Sequence, residues 1–329
     1  MSDFVTTEMH TAGEPVRIIE KGYPEIQGNT ILEKINTLRA TMDDKRVLLM
    51  HEPRGHFDMY GVLFVSPDIK EADVGVIFMH NEGYSTMCGH AVLSLGRYLI
   101  DKGMVKNPTI PETTINIQCP CGLVETHVEY NGTKTGAVRF HSVPAYVCST
   151  NVSVEVPGYG NLLVDIVYGG AFYALIPVSR FQLTKSSPIE KIRKAAGDTT
   201  DVLRKQLKIS HPENNDLAFL YGTIVTDDSS DVGWNCCVFA EREVDRSPCG
   251  SGTTARVAHM IAKGELKIGE TKTFGSPVGG RFIAKALKSV QYYENEAVVV
   301  EVSGNGYYTG TATFSLEEGD EIGKGFLLV

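Results

Sequence analysis

Long apolar runs, basic clusters and secretory signals are missing from this sequence of 329 residues. No hydrophobic stretch approaches the length that a membrane-spanning helix needs. The net charge is −9 and no segment is strongly basic, which argues against nucleic acids and anionic membrane surfaces as partners. The first residues carry neither the charged nor the apolar segment of a signal peptide. We therefore expect a cytoplasmic protein that acts on a small molecule.

Signatures of common cofactors are missing as well. No glycine pattern fits a dinucleotide fingerprint or a P-loop, and no pyridoxal site is evident. Two close cysteine pairs, Cys119 with Cys121 and Cys236 with Cys237, fit no common zinc spacing. The odd count of seven cysteines indicates reduced thiols rather than a disulfide framework. We expect neither a metal ion nor an organic cofactor.

The most informative stretch that is present reads DRSPCGSGTTA at residues 245–255. Ser247 and Pro248 suit the start of a helix, and the apolar residues that follow recur at helical spacing. Cys249 then lies where a loop enters a buried helix. The unpaired amides and the helix dipole at that point favour a thiolate, and they could also bind a carboxylate. A single cysteine of this kind is more often simply buried.

A second stretch, STMCGHAVLSLGR at residues 85–97, repeats the same design around Cys88. Two Cys-Gly helix starts in one chain suggest two half-molecules that each present a thiol. Such a pair suits a reaction in which one sulfur removes a proton from carbon and the other delivers a proton to the opposite face.

Residues 87–90 and 245–250 resemble the two signature motifs of the proline racemase family. The family includes proline racemase, 4-hydroxyproline 2-epimerase and trans-3-hydroxy-L-proline dehydratase, and the resemblance covers nearly the whole chain. It implies an α/β (α+β) fold like that of diaminopimelate epimerase: two similar lobes, each a curled sheet around a central helix, with the active site in the cleft. We place lobe 1 at 1–147 plus 306–329 and lobe 2 at 148–305. A homodimer is implied by the resemblance alone.

The same motifs assign roles to individual residues. Cys88 and Cys249 are the two acid–base groups, and the amides at the two helix starts hold the substrate carboxylate. By resemblance, His90 and Asp245 hold the ring amine, and two aromatic side chains line the pocket. The predicted substrate-binding residues are Gly89, His90, Asp245, Gly250, Ser251, Tyr60 and Phe239. A segment at residues 10–14, which contains His10 and Glu14, borders the cleft by resemblance.

Cys249 bears on the choice among the family members. Four segments, at 88–93, 119–124, 139–144 and 216–223, are similar to the dehydratase branch, which typically carries threonine where this chain has Cys249. A threonine cannot act as a second proton shuttle. Because Cys249 restores the pair and Tyr60 keeps the pocket aromatic, the sequence favours a proline racemase that interconverts L- and D-proline.

Three alternatives to the racemase remain. Two are enzymes of the same family, 4-hydroxyproline 2-epimerase and trans-3-hydroxy-L-proline dehydratase. The third is a non-catalytic binding protein, because a fold alone does not imply activity. A binding protein has no reason to keep two reactive thiols at helix starts.

Besides the helix that follows Cys249, hydrophobic periodicity predicts helices at 30–44, 89–102 and 188–207, among many short strands. Val47 to Met50 are apolar in succession and predict a strand, as does the segment 216–225. The pair Gly169 and Gly170 opens no helix, and it indicates a place where two backbones approach closely.

Overall fold

The structure is a computed structural model that describes residues 3–328. It divides into two compact units, Met1–Val138 with Asn305–Val329, and Arg139–Gly304. Each unit combines a mixed, curled sheet with few helices, which confirms the predicted fold class. None of the described helices has both the length and the apolar character of a transmembrane segment.

Unit 1 is built around one apolar helix. Its helices are α1 (Ile31–Thr41), α2 (Asp43–Met50) and α3 (Gly89–Asp101). Its strands are β1 (Phe4–Thr11), β2 (Glu14–Lys21), β3 (Gly61–Val65), β4 (Val74–Met79), β5 (Tyr84–Ser85), β6 (Glu112–Cys119), β7 (Gly122–Tyr130) and β18 (Gly306–Phe314), while β8 (Thr135–His141) leads into unit 2.

The strands of unit 1 pair in the order β18–β1–β2–β3–β4–β6–β7. The pairs β2–β3 and β4–β6 are parallel and the others are antiparallel. Helix α3 packs against β1, β2, β7 and β18, and only Arg97 and Asp101 of its residues escape full burial. A helix that is apolar on nearly all sides needs such a sheet around it.

Unit 2 repeats this plan. Its helices are α4 (Ile189–Gln206) and α5 (Gly250–Ala262). Its strands are β9 (Tyr146–Val156), β10 (Gly160–Tyr168), β11 (Phe172–Pro177), β12 (Leu220–Asp227), β13 (Gly233–Phe239), β14 (Glu243–Val244), β15 (Thr271–Gly275), β16 (Arg281–Tyr292) and β17 (Asn295–Gly304).

The pairing order in unit 2 is β9–β10–β11–β12–β13–β15–β16–β17, and its parallel pairs are β11–β12 and β13–β15. Read from β18 in unit 1 and from β9 in unit 2, the first six pairs follow the same order of parallel and antiparallel pairing, and unit 2 adds the antiparallel pair β16–β17. Helix α5 packs against β9, β10, β11, β16 and β17, as α3 does in its own unit. The short strands β5 and β14 lead into Cys88 and Cys249. The prediction of two similar halves, each with a helix inside a curled sheet, is confirmed.

Two local predictions are wrong. Residues 47–50 are the end of α2 and not a strand, because a short apolar run fits a buried helix turn as well as a strand. The segment from residue 216 begins in a 3₁₀ turn, Asn215–Leu217, and the strand starts only at Leu220. The predicted helix at 30–44 also ends earlier, since Met42 leaves the helical conformation between α1 and α2.

Candidate active site

In unit 1, Cys88 is the N-cap of α3 and is buried beside an imidazole. Its Sγ lies 3.1 Å from His90 Nδ1, and His90 Nε2 lies 3.1 Å from the carbonyl oxygen of Pro15. A carbonyl can only accept, so Nε2 carries the hydrogen and Nδ1 presents a lone pair to the thiol. Burial lowers the pKa of His90 to about 3, against the opposing effect of the Pro15 hydrogen bond. The imidazole is therefore neutral at physiological pH, and its Nδ1 accepts a hydrogen bond from the Cys88 thiol.

The sequence predicts that His90 holds the substrate amine. In the structure, its two ring nitrogens contact Cys88 Sγ and the carbonyl oxygen of Pro15. Pro15 follows the predicted border segment, so this segment reaches the Cys88 region through a backbone carbonyl. His10 instead stacks on Tyr307, with ring centroids 5.4 Å apart.

Tyr60 lies in the same half-site. Its ring meets the His90 ring edge-on, with 4.9 Å between the centroids, and its hydroxyl is hydrogen-bonded to Ser85. Gly89 and His90 form the first turn of α3. Amides in a first turn have no partner within the helix and point toward its N-terminal end, where they can bind an anion.

In unit 2, Cys249 is the N-cap of α5 and has a φ of +64°. A residue with a Cβ rarely adopts this left-handed conformation, and strain of this kind is concentrated at functional sites. The Cys249 amide donates to Ser247 Oγ at 3.0 Å, and its carbonyl accepts from the Thr253 amide at 2.6 Å. These bonds hold the strained cap in place. Gly250 and Ser251 form the first turn of α5.

The Cys249 sulfur lies in a small cluster of hydroxyl and thiol groups. The thiol donates to the Tyr173 hydroxyl oxygen at 3.6 Å, and the Tyr173 and Ser251 hydroxyls are hydrogen-bonded at 2.7 Å. Burial, followed by the neighbouring Cys249, raises the pKa of Tyr173 well above its usual range, so it stays a phenol. Cys237 is also in contact, and burial together with its hydrogen bond to Cys249 raises its pKa.

Asp245 lies on the loop before Cys249 and is buried. Its Oδ1 accepts from the Ser247 amide at 2.7 Å. Burial raises the pKa of Asp245 to about 6, although hydrogen bonds from Ser247 and Cys249 oppose the rise. Phe239, the predicted pocket wall, is buried and stacks on Tyr221 with centroids 5.2 Å apart.

The structure thus gathers the predicted residues into two groups. Gly89, His90 and Tyr60 lie around Cys88, while Asp245, Gly250 and Ser251 lie around Cys249. Sequence reasoning missed Tyr173 and the role of Pro15. The only sequence signal for Tyr173 is its position four residues after Gly169, next to the predicted close approach of two backbones.

The family model described as proline racemase matches residues 6–327. This chain belongs to the proline racemase family. Over 98% of its length it is 50% identical to the trans-L-3-hydroxyproline dehydratase of Xenopus tropicalis, of which the match covers 94%. It is 48% identical, again over 98% of the chain, to the human trans-3-hydroxy-L-proline dehydratase, of which 93% is covered. Among solved structures, a probable proline racemase from Agrobacterium radiobacter K84 with bound carbonate shares the fold, with a TM-score of 0.94 at 25% identity over 99% of this chain and 96% of that one.

These relatives contradict the prediction that the main activity is proline racemisation. Full-length relatives at 40% to 50% identity carry the name of the dehydratase. The prediction took Cys249 as the sign of a racemase, since a second thiol completes a two-base pair. A second thiol is compatible with inversion, but its presence alone does not determine whether the carbon or a leaving group receives the proton. The choice of racemase was wrong for this reason.

Proposed function

We propose that this protein is a trans-3-hydroxy-L-proline dehydratase. The observation that carries the proposal is the close similarity, over nearly the whole chain, to relatives of that name. The position of Cys88 supports it, because elimination of water needs a base for the α-hydrogen, and the amides at the start of α3 favour the thiolate of its N-cap cysteine.

The stereochemistry of the substrate favours a mechanism with one thiol. In the trans isomer the carboxylate and the hydroxyl group lie on opposite faces of the ring, so the α-hydrogen lies on the same face as the hydroxyl group. A sulfur that has removed the α-hydrogen therefore faces the leaving group. Cys88 can serve as both base and acid, and Cys249 is not required as a second proton shuttle.

The Cys88 thiolate takes the α-proton and becomes a thiol. The electron pair of the C–H bond forms the double bond between the α- and β-carbons, and the C3–O bond breaks. The departing hydroxide takes that proton from Cys88 and leaves as water, which restores the thiolate. The cyclic enamine that forms then tautomerises to the imine.

The start of α3 supplies the electrostatic part of this mechanism. An α-hydrogen beside a carboxylate is a very weak acid, so the negative charge that develops on the carboxylate must be stabilised. The first-turn amides at Gly89 and His90 are the groups that we assign to this task.

Incubation of the purified protein with trans-3-hydroxy-L-proline tests the proposal, with the imine product followed by NMR. We expect Cys88→Ala to reduce kcat by roughly 10²- to 10⁴-fold, the usual contribution of a positioned base. Cys249→Thr should keep dehydration within about tenfold, because the mechanism uses one thiol. Cys148→Ala, which removes an exposed thiol, is the matched control and should be unchanged. Conversion of L-proline to D-proline by a protein that leaves the hydroxyproline intact would overturn the proposal.

A further inference from the structure

One face of strand β13 packs against the start of α5. On this face, Asn235 Nδ2 donates to the carbonyl oxygen of Pro248 at 3.0 Å, and Asn235 Oδ1 accepts from Arg256 Nε at 3.2 Å. Successive side chains of a strand point to opposite faces, so Cys237 shares the face of Asn235. Cys237 is therefore directed toward the loop and the helix turn that carry Cys249.

Contacts on both sides of Cys237 bring it next to Cys249. Its carbonyl oxygen accepts from the Asp245 amide at 2.9 Å, on the loop that leads to Cys249. Ile224 is the β12 partner of Cys237. A Cβ on Gly252 would lie 2.5 Å from Ile224 Cδ1 and 2.9 Å from Cys249 Sγ, so both side chains pack on the same helix turn. The two thiols are themselves hydrogen-bonded.

The adjacent Cys236 lies on the opposite face of β13. It belongs to the hydrophobic core of unit 2, together with Trp234 and Val238. Burial raises its pKa to about 12, so it stays a thiol within the core. Cys236 and Cys237 thus share one strand and the same burial, but only Cys237 faces Cys249.

The two sulfurs of the hydrogen-bonded pair differ in their access to solvent. Cys249 is 5% exposed and Cys237 is 0% exposed. Burial, followed by the hydrogen bond to Cys249, raises the pKa of Cys237 well above its usual range. A small oxidant therefore reaches Cys249 first, while Cys237 stays a thiol in contact with it. A disulfide bond is about 2 Å long, so rotation of the two side chains can bring hydrogen-bonded sulfurs to bonding distance.

We propose that Cys237 and Cys249 form a redox modification site, in which a hydroperoxide oxidises Cys249 and Cys237 then closes a reversible disulfide. The Cys249 sulfur attacks one oxygen of hydrogen peroxide, the O–O bond breaks, and a sulfenic acid and water form. The Cys237 sulfur attacks the sulfenic sulfur, the S–S bond forms and the S–O bond breaks. The hydroxyl group leaves as water with the Cys237 proton. Two thiols thus lose two hydrogens, and one peroxide molecule becomes two water molecules.

The disulfide protects Cys249 from irreversible oxidation. A sulfenic acid that finds no thiol proceeds to sulfinic and sulfonic acids, which thiol reductants do not reverse. Closure of the disulfide stops this sequence, and a reductant then restores both thiols. Oxidation also removes the hydrogen that Cys249 donates to Tyr173, so it alters the hydroxyl cluster that Tyr173 forms with Ser251.

Treatment of the purified protein with hydrogen peroxide, followed by mass spectrometry without reductant, tests the proposal. We expect the intact mass to fall by two hydrogens, and a digest to contain a peptide in which Cys237 is joined to Cys249. Dithiothreitol should abolish both signals. This measurement uses the unaltered protein and no substrate, so it depends neither on the folding of a variant nor on the dehydratase function.

Three variants separate the explanations. Cys237→Ser should lack the joined peptide, and its Cys249 should accumulate sulfinic and sulfonic acids that dithiothreitol does not reduce. Cys236→Ser is the matched control on the opposite face of the same strand and should keep the disulfide. Cys148→Ser removes the exposed thiol and should also keep it.

Two results would overturn the inference. One is a disulfide that joins Cys236 or Cys148 in place of the proposed pair. The other is an equal yield of sulfinic acid at Cys249 in the unaltered protein and in Cys237→Ser, with no joined peptide in either, because Cys237 would then give no protection.

Discussion

Gly252 shows how a single residue determines the geometry of the Cys249 site. A Cβ at this position would lie 2.5 Å from Ile224 Cδ1 and 2.9 Å from Cys249 Sγ. Real contacts of a Cβ are not this short, so any larger residue would displace the sulfur or the isoleucine. Gly252 is therefore required because its Cα packs against the thiol, and not because of its backbone conformation.

Gly252→Ala is expected to disturb the hydroxyl cluster without unfolding the protein. The added methyl group pushes Sγ away from Tyr173, because the side chain of Cys249 can move more readily than the helix. The rate at which iodoacetamide alkylates Cys249 should change, because the sulfur loses its contact with the Tyr173 hydroxyl. Gly310→Ala is the control, since a Cβ there meets no atom within 4 Å. Identical alkylation profiles in Gly252→Ala and the control would show that the contact does not hold the sulfur.

At the scale of elements, each central helix is approached closely by a glycine of the surrounding chain. In unit 1, a Cβ on Gly306 of β18 would lie 2.7 Å from the Cα of Ser94 in α3. In unit 2, a Cβ on Gly169 would lie 2.3 Å from the Ser251 oxygen and 2.6 Å from the Ala255 nitrogen of α5. The sequence predicts a close approach of two backbones at Gly169 and Gly170. The structure confirms it at Gly169, whose backbone packs against the backbone of α5.

Gly169→Ala should destabilise unit 2 more than it alters the chemistry. The atoms that the methyl group meets belong to the backbone of α5, so the helix itself must shift. Overpacking of this kind typically costs about 1–3 kcal/mol, which urea denaturation measures. We expect Gly310→Ala to lose less than about 0.5 kcal/mol, as surface changes do. Equal midpoints for the two variants would contradict the account of helix packing.

At the scale of the whole molecule, buried groups of the site couple its stability to pH. The pKa of His90 falls from its ordinary value of 6.5 to about 3, mainly through burial. Between these values the unfolded chain binds a proton that the folded chain does not, so stability is lost as the pH falls below 6.5. Asp245 acts in the opposite sense, because burial raises its pKa from 3.8 to about 6 and the folded chain then binds its proton more tightly.

A comparison of the protein with His90→Gln isolates the histidine contribution. Linkage predicts a loss of about 2 kcal/mol from His90 between about pH 7 and pH 5. Glutamine does not titrate and can still donate to the Pro15 carbonyl, so its variant should lack that loss. Urea denaturation at the two pH values gives the difference. The same acid sensitivity in both proteins would show that His90 is not held neutral by burial.

Much of this fold could be predicted from local signals. The helices at Cys88 and Cys249 follow from a polar start, a Cys-Gly pair and an apolar periodicity, and all three can be read within a dozen residues. The strand predicted at 47–50 was wrong because burial of Leu48 to Met50 comes from packing against other elements, which a short apolar run does not reveal. The predicted homodimer and cytoplasmic location stay predictions.

The sequence by itself determined the family, the two thiols at helix starts and the similarity of the two halves, because these depend on neighbours along the chain. Only the tertiary structure decided what each sulfur contacts. His90 is two residues from Cys88, but its neutral form depends on burial and on Pro15, and the partner of Cys249 comes from Tyr173, 76 residues earlier. Hydrogen bonds and desolvation act over a few ångströms in space, and strand pairing brings together side chains that are far apart in sequence.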